Sequence, residues 1–506
     1  MAGHMEFEFD IRGSGRPRSE RPFNLLVLAD FSGPTRPSAG DLEKRRIFPV
    51  DLDSLDALWS ELRPTLALQA GDMQIRFGPR ELEDFHPDRL YRSLPVFEEL
   101  RALRRRLLDP ATAQQALGDL LRSRGPLEGE LVGGRNEEPA ADDEAAGDLF
   151  QRLLGRSGGH APTEPATAKG MAQLDAFIHD LVAPHIVRAP DPRTDTAVAS
   201  VDLATAGLMR GILHDSDFQA LEARWRALTD LVHELELGDD LRLFVCDVRR
   251  QELLAALPDP GQSLQESALI QLLVERRRQA ADDTPWTVII GDYRFGSERE
   301  DIALLTALGA AAAASGAVFL GGARPQILGC SSPAELADAK YWSAGGDHHE
   351  LWQSLRRSPV ASHIGLALPR VLGRQPYGRG SDEIESFEFE ELPERRHEQY
   401  LWLNPAFACG RLLAQAFTHD SWAMEPGAHL DLGALPAHHF SEDGERRLQP
   451  CGEILLPETT MVAMLEQGLM PIVSYRNQNT AVLGRFQSIA EPLQPLAGSW
   501  ATGRQS

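Results

Sequence analysis

The chain has 506 residues, of which 42% are apolar and 25% are charged, the composition of a soluble globular protein with two or three domains. Its formal net charge of -24 argues against nucleic acid and anionic membrane surfaces as partners, because both attract basic proteins. No stretch approaches the roughly 18 consecutive apolar residues that suggest a transmembrane helix, so we expect no membrane insertion. Four cysteines without a C-x-x-C pair indicate reduced thiols in a cytoplasmic protein.

The first block is predicted to be a domain over residues 17–124, preceded by a tail and strand over residues 1–16. In the tail, "FEFDIRG" alternates like a strand. "FNLLVLADF" is a continuous apolar run, which predicts a strand buried on both faces. "MQIRFG" alternates again, and "LPVFEELRALRRRLLD" has the periodicity of a helix, with Pro87 and Pro95 at helix starts.

Residues 125–170 have the acidic, glycine- and proline-rich composition of a flexible linker. Within the linker, residues 148–155 ("DLFQRLLG") are predicted to form a short amphipathic helix. Such a helix suits binding in the groove of a partner, and docking on the protein's own surface is the alternative. The residues of its apolar face, which are candidate partner-binding residues, are Leu149, Phe150, Leu153 and Leu154.

A second domain is predicted over residues 171–490, followed by a tail over residues 491–506. "DFQALEARWRALTDLV" predicts an amphipathic helix, because its large apolar residues recur at steps of three and four. "LRLFVCDV", "WTVIIGDY" and "GAVFLGGA" predict buried strands. Ser297 and Glu300 match a capping box that would begin the helix between the last two strands, so a parallel sheet is expected.

Asp30 and Asp292 follow similar apolar runs, "NLLVLAD" and "TVIIGD". In open α/β sheets, ligands bind beyond the carboxyl ends of the strands, so these carboxylates are candidates for a metal ligand or a general base. The alternative is that each aspartate accepts hydrogen bonds from the backbone of a turn. No P-loop motif follows either strand, so no phosphate-binding loop of that type is predicted.

The histidine and cysteine patterns do not form a catalytic constellation. In "DHHELW" and "AHHF" the two histidines are adjacent, whereas a metal-binding helix uses positions i and i+4, so surface helix starts are favoured over metal sites. Cys330 lacks a favourable sequence neighbour for a nucleophile, which favours a buried, inert thiol. We therefore predict no catalytic residues, no metal site and no cofactor.

Arg370 and Arg374 lie in "LALPRVLGRQPYG", directly before an acidic run over residues 381–392. The opposite charges predict a rigid ion-paired segment or a protein interface, and a solvated charged loop is the alternative. Arginine with tryptophan is favoured at interfaces, so a scaffold that binds a partner through residues 342–422 is one hypothesis for the function.

A series of longer motifs resembles a known family. "DFQALEARWRALTDLV", "GDYRF", "GLALPRVLGRQPYG", "YLWLNPAFACGRLL" and "YRNQNTAVLGRFQSI" follow in the order seen in TssC, the large sheath subunit of bacterial type VI secretion systems. "RPFNLLVLADFSG", "DFHPDRL" and "LRALRRRLL" resemble TssB, the small sheath subunit. The chain therefore resembles a TssB–TssC fusion that lacks the TssC C-terminal region.

This resemblance implies an α/β fold with α+β elements, in which TssB-like and TssC-like halves form one sheath-protein-like unit with mixed or parallel sheets. Asp30 and Asp292 would then be turn formers of the scaffold. The family has no catalytic residues or cofactor to transfer. Its partners would be other type VI secretion components, such as sheath, baseplate or inner tube proteins, in the cytoplasm. The helix at residues 148–155 occupies the place of a TssC helix that a ClpV-type ATPase binds.

In the family, a lattice forms through strands shared between subunits, and part of those strands comes from the TssC C-terminal region. Because the sequence stops shortly after "AVLGRFQS", we expect poor polymerisation and an accessory, adaptor or cap function. A genuine contractile sheath subunit that polymerises around the inner tube is the first alternative. An α/β enzyme with carboxylates at its strand ends is the second.

Overall fold

The computed structural model describes residues 21–36, 40–70, 73–123, 192–258, 263–279, 284–343, 349–442 and 444–500. Its strands are β1 (Phe23–Ala29), β2 (Ile47–Val50), β3 (Leu66–Ala70), β4 (Met73–Phe77), β5 (Leu241–Asp247), β6 (Val288–Phe295), β7 (Val318–Ala323), β8 (Ile364–Leu368), β9 (Val371–Leu372), β10 (Trp402–Leu403), β11 (Asp431–Ala434), β12 (His438–Glu442), β13 (Glu445–Gln449), β14 (Met470–Ser474) and β15 (Thr480–Leu483).

The α-helices are α1 (Leu55–Leu62), α2 (Pro87–Ser93), α3 (Glu98–Leu108), α4 (Ala113–Ser123), α5 (Pro192–Leu213), α6 (Ser216–Glu234), α7 (Arg250–Ala255), α8 (Ala268–Ile270), α9 (Arg276–Arg278), α10 (Arg299–Ser315), α11 (His349–Arg357), α12 (Pro405–Asp420) and α13 (Glu458–Glu466). A π-helical turn, Gln271–Glu275, lies between α8 and α9. Short 3₁₀ helices are Leu42–Lys44, Leu82–Phe85, Pro95–Phe97, Leu264–Glu266, Pro325–Leu328, Pro333–Ala337, Ala339–Tyr341, Pro359–His363, His397–Gln399 and Ser421–Ala423.

The main sheet contains nine strands in the order β11-β15-β14-β8-β7-β6-β1-β5-β2. Strands β5, β1, β6, β7, β8 and β14 run parallel, and β2, β15 and β11 are antiparallel to their neighbours. The predicted α/β class with a mixed, largely parallel sheet is therefore confirmed.

Strand β1, from the first block of the sequence, lies in the centre of this sheet. It pairs with β5 over its whole length, from Phe23 opposite Leu241 to Ala29 opposite Asp247. On its other side, Leu25–Leu28 pair with β6. All seven residues of β1 are buried, as its continuous apolar run predicts for a strand covered on both faces.

Helices cover both faces of the sheet around β1. Leu26 and Leu28 belong to the same buried cluster as residues of α10, such as Leu304. Leu25 points to the opposite face because successive side chains of a strand alternate. On that face Gly410 of α12 approaches Ile290 and Leu25 so closely that a Cβ atom at Gly410 would collide with Ile290. The architecture is therefore three layers, helix on sheet on helix.

Helix α6, from the second block of the sequence, packs against the first block. The side chain of Asp215 caps its N-terminus by accepting hydrogen bonds from Asp217 N and Phe218 N. The predicted apolar face is confirmed, since its large residues are buried, and Trp225 is 0% exposed. The Trp225 ring stacks on Trp59 of α1 with 3.5 Å between ring centroids. The amphipathic pattern of α6 thus buries aromatic residues of the first block.

The contacts divide the chain into two compact units, one containing Met1–Leu94 with Met209–Ser506 and the other containing Pro95–Leu208. The smaller unit is helical and has its own apolar cluster, with Leu107 of α3, Leu117 of α4 and Val201 of α5 at its centre. Within α5, Arg193–Leu213 is long and apolar enough to cross a membrane by length and composition alone. Its Asp202, however, accepts a 2.7 Å hydrogen bond from Arg104 of α3, as in the packed helices of a bundle.

Several boundaries of the predicted domains lie outside the described residues, among them the start and end of the linker over residues 125–170 and the tail over residues 1–16. They stay predictions. The predicted tail after residue 490 packs on the main body as far as it is described. Leu496 is buried there, and Ser499 Oγ donates a hydrogen bond of 2.9 Å to Gly316 O.

Two local predictions are wrong. The capping box does not form: α10 begins at Arg299, the Ser297 hydroxyl donates to Gln326 O, and Asp301 Oδ2 accepts from Gly296 N at 2.6 Å. The "AHHF" segment is strand β12 rather than the start of a helix, because it pairs with β13 in a hairpin. The first error arises because a distant residue, Gln326, takes the hydrogen bond of Ser297, and the second because the neighbouring segment pairs with "AHHF" as a strand.

The position of β1 gives a stability prediction. Leu26→Ala removes side-chain volume from the centre of the sheet, and we expect it to lower the free energy of unfolding by about 2–5 kcal/mol. Leu52, which is 62% exposed, provides the control, and Leu52→Ala should change stability by no more than about 0.5 kcal/mol. Urea unfolding followed by circular dichroism measures both. Equal stabilities of the two variants would contradict the central position of β1.

Candidate functional site

The carboxyl ends of β1 and β5 are joined by one carboxylate, Asp247. Its Oδ1 accepts hydrogen bonds from Phe31 N at 2.8 Å and Ser32 N at 3.1 Å, and its Oδ2 accepts from the Ser32 hydroxyl at 2.5 Å. Asp247 is 9% exposed. This buried carboxylate therefore satisfies three donors in the turn that follows β1, and it fixes the register of the first block against the second.

The opposite end of β1 is joined to the segment before β6. Asn24 Nδ2 donates to Thr284 Oγ1 at 3.1 Å and to Pro285 O at 2.9 Å. Asn24 is fully buried, so these bonds replace water for its amide nitrogen. Both ends of β1 are therefore held by polar contacts as well as by the sheet ladders.

Asp30 and Asp292 lie on neighbouring strands and have different partners. Asp30 Oδ1 accepts from Gly33 N at 3.0 Å, and Gly33 has a φ of 82°, so Asp30 is a turn former as expected. Asp292 is not: β6 continues to Phe295, and the Asp292 carboxylate instead accepts from Arg224 Nε at 2.8 Å. The expectation of a turn at Asp292 is wrong because β6 is longer than β1 at this edge.

Burial raises the pKa of both aspartates, and Arg224 opposes this rise in each. Arg249 Nε lies 3.6 Å from Asp30 Oδ1, and both carboxylates border a cavity that arginines also line. The enzyme hypothesis required such a convergence of carboxylate with arginine. Here, however, each carboxylate is already ion-paired with an arginine, Asp30 with Arg249 and Asp292 with Arg224. Among the described residues, no group of three or more histidine, cysteine, aspartate or glutamate residues could hold a metal ion.

Arg374 lies in a buried ion network. Its Nε donates to Glu222 Oε1 at 2.8 Å, and its two Nη atoms donate to Glu391 at 2.7 and 2.9 Å. Arg226 also donates to Glu222 at 2.8 Å. Burial would lower the pKa of Arg374, but Glu222 and Glu391 outweigh it and raise the pKa well above its ordinary value. The expected pairing with the acidic run is therefore seen for Arg374, which holds α6 against that run.

Arg370 makes a second network. It donates to the two carboxylate oxygens of Glu453 at 3.0 and 2.6 Å, and His397 Nε2 lies 2.9 Å from Glu453 Oε1. Burial would raise the pKa of Glu453, but the hydrogen bonds from His397 and Arg370 hold it well below its usual range. Both arginines thus contact carboxylates of their own chain. A contact of either one with a partner protein stays a prediction.

The remaining candidates from the sequence are dispersed. Leu149, Phe150, Leu153 and Leu154, with the predicted helix over residues 148–155, lie outside the described residues. Cys330 is a buried free thiol, and burial raises its pKa to about 11, which fits an inert thiol. His438 is 5% exposed, and its Nδ1 lies 2.9 Å from the Tyr400 hydroxyl. It is a core histidine of β12.

Sequence reasoning missed the residue that joins the blocks, Asp247. A signal was present, because "LFVCDV" ends a buried strand in an aspartate, as "LLVLAD" does. The partner of that aspartate is 215 positions away in the sequence, so only the strand order reveals it.

Two families of known proteins match the chain, one in the first block of the sequence and one in the second. Residues 195–490 match the VipB family, described as "EvpB/VC_A0108, tail sheath N-terminal domain". Residues 4–122 match the T6SS_VipA family, described as "Type VI secretion system, VipA, VC_A0107 or Hcp2". A similar protein is the "Type VI secretion system sheath protein TssC1" of Pseudomonas aeruginosa, 29% identical over 310 residues. That match covers 59% of this chain and 62% of the relative.

The role of Asp247 gives a second prediction. Asp247→Asn keeps the shape of the side chain but replaces one acceptor oxygen with an NH₂ group, which faces donors. We expect the free energy of unfolding to fall by about 1–3 kcal/mol, because buried donors lose their acceptor. Asp239→Asn, at an exposed position before β5, is the matched control and should be nearly neutral. A neutral Asp247→Asn in thermal or urea unfolding would contradict the role assigned to Asp247.

His438 gives a prediction for pH. Burial, with smaller effects of Arg395 and His439, lowers the pKa of His438 to about 4, whereas an unfolded histidine titrates near 6.5. The neutral form is favoured in the folded state, so its stabilisation is complete above pH about 6.5 and is lost as the pH falls toward about 4. Between about pH 7.5 and pH 5 the loss should be about 2 kcal/mol.

His438→Asn removes this titration while keeping a polar group near the position of Nδ1. We therefore expect the stability difference between wild type and variant, from urea unfolding, to shrink by that amount over the same pH range. A difference that does not depend on pH would show that His438 keeps an ordinary pKa.

Proposed function

The chain belongs to the type VI secretion system sheath family, a structural and non-enzymatic family, and we propose that it works as a preassembled TssB–TssC unit that docks with other components of the secretion machine. The chain spans 62% of the length of the curated relative that it matches. The observation that carries the proposal is the position of β1. Because it lies between β5 and β6, the two family regions form one sheet in one polypeptide.

In more detail, we propose an accessory, adaptor or cap function rather than a polymerising one. The two edges of the main sheet support this. Edge strand β2 contains Pro49, which lacks an N–H donor. At the other edge, β11 has four residues, a shift in register between Asp431 and Ala434, and Gly433 with a φ of 69°. Proline, short strands and irregularities are devices that prevent strand addition to a sheet edge.

The partners follow from the family. We propose sheath, baseplate or inner tube proteins as partners and the cytoplasm as the compartment. A ClpV-type ATPase that binds residues 148–155 belongs to the same proposal. Arg370 and Arg374 would contribute by holding the surface around the acidic run rigid, because their guanidinium groups are engaged within the chain.

Microscopy of the purified full chain tests the accessory function. We expect a monomer or a small oligomer by light scattering after size exclusion, and no tubes in negative stain at any salt concentration tested. Long tubes would contradict the accessory function and establish the alternative, a genuine sheath subunit. The relative from Pseudomonas aeruginosa is a sheath protein, which favours that alternative.

A further inference from the structure

A cavity of about 850 Å³ opens at the carboxyl ends of β1, β5, β6 and β7. Its volume lies within the range of small-molecule sites, about 300–1,000 Å³. Residues that follow or end these strands line it, such as Asp30 after β1, Arg249 after β5, Arg294 in β6 and Arg324 after β7. The docking function of the family does not account for this cavity.

The strand order places the cavity at a change of direction in the sheet. From β1 the chain reaches β5 on one side of β1 through a connection that includes α6. From β5 it then crosses to β6, on the other side of β1, through α7, α8 and α9. In open α/β sheets, the crevice outside the carboxyl ends of the strands at such a point is where ligands bind.

The lining is positive, although the whole chain has a net charge of -24. Six arginines face four carboxylates, those of Asp30, Asp217, Glu252 and Asp292. The arginines are Arg45, Arg224, Arg249, Arg250, Arg294 and Arg324.

Four of these arginines already hold a carboxylate within 4 Å: Arg45 holds Glu252, Arg224 holds Asp292, Arg249 holds Asp30 and Arg250 holds Asp301. They form the fixed wall of the cavity. Arg324 also has carboxylates within 4 Å, those of Asp301 and Glu298, but no hydrogen bond to either, and among the described residues Arg294 has no carboxylate within that distance.

Arg294 is the least satisfied of the six. Within the described part of the chain it has no ion pair and no side-chain hydrogen bond, and its buried Nε has no hydrogen-bond partner. Burial, together with the nearby charges of Arg370 and Arg324, lowers its pKa to about 10 in spite of Glu453 and Asp292. A half-buried guanidinium without an acceptor is costly, so a bound anion would stabilise it.

Arg324 lies beside Arg294. In the β6–β7 ladder Arg294 is opposite Gly322, and Arg324 directly follows the end of β7, so both lie at the same edge of the sheet. The nearest carboxylate oxygens to Arg324 Nη1 are Asp301 Oδ2 at 3.7 Å and Glu298 Oε2 at 3.9 Å. Both distances exceed that of a hydrogen bond, so Arg324 keeps donors for a ligand.

We propose that this cavity binds a small molecule that carries phosphate groups, with Arg294 and Arg324 as its two anchoring guanidinium groups. The planar fork of arginine matches two oxygens of one phosphate or one carboxylate at once, and a phosphate group offers more charge and more acceptor oxygens than a carboxylate. Two guanidinium groups that line the same cavity suit a ligand with more than one charge, such as a pyrophosphate or the phosphate chain of a nucleotide.

Calorimetric titration of the purified full chain with sodium pyrophosphate, at constant ionic strength, tests the proposal. Wild type should bind saturably, and Arg294→Gln and Arg324→Gln should each weaken binding at least tenfold. Arg299→Gln, which removes an exposed arginine at the start of α10, is the matched control and should bind as wild type does. Thermal unfolding without ligand checks that each variant is folded. Arg294→Gln should keep its melting temperature, because a neutral amide is less costly to bury than an unpaired cation.

Two further ligands define the class. ATP that binds more tightly than pyrophosphate would identify a nucleotide, and ATP that binds no more tightly would identify an inorganic or short phosphate ligand. Either result supports the proposal. Citrate that binds as tightly as pyrophosphate would overturn the phosphate specificity. Absence of saturable binding to wild type, or wild-type affinity in Arg294→Gln, would overturn the site itself.

Discussion

The structure depends on the insertion of β1 between β5 and β6. The first block of the sequence supplies this strand, and the second block supplies both of its neighbours. Without β1 the main sheet would divide into two parts, and both β5 and β6 would expose an unpaired edge, which is a site for aggregation. A strand buried on both faces also contributes apolar area to both layers of the core. Because the two blocks belong to one polypeptide, every copy of the second block has one copy of β1 to complete its sheet.

Buried charges then fix how the elements around that sheet fit together. Asp247 satisfies the turn after β1, Glu222 and Glu391 hold Arg374, and Glu453 holds Arg370. Glu222, Glu391 and Glu453 are buried, so the loss of one member of these ion pairs would leave an uncompensated charge, which commonly costs about 3–5 kcal/mol. Such networks add little net stability compared with apolar packing, but they disfavour other registers of the same elements. A single register of these elements suits the docking function that we propose.

Local patterns in the sequence correctly predicted the main strands and helices that form the core. The runs that became β1, β5, β6 and β7 are continuous and apolar because each strand is covered by helices on both faces. The apolar stripe of α6 was equally clear, since Trp225 and its neighbours recur at helical spacing. Two predictions, the capping box at Ser297 and the turn at Asp292, were wrong because distant residues bind these side chains. Ser297 donates a hydrogen bond to Gln326 O, and Asp292 accepts one from Arg224. Strand order cannot be read from such runs, so neither could the cavity that the order creates.

Native-state hydrogen exchange with mass spectrometry can show whether β1 forms one sheet with β5 and β6. The amides of Leu25–Leu28 donate to strands from the second block, so their exchange requires opening of the sheet that both blocks share. We predict that peptides covering β1 exchange as slowly as those covering β5 and β6, and that all three lose protection together as urea is added. Rapid exchange in β1 while β5 and β6 stay protected would contradict it, because the two blocks would then fold separately.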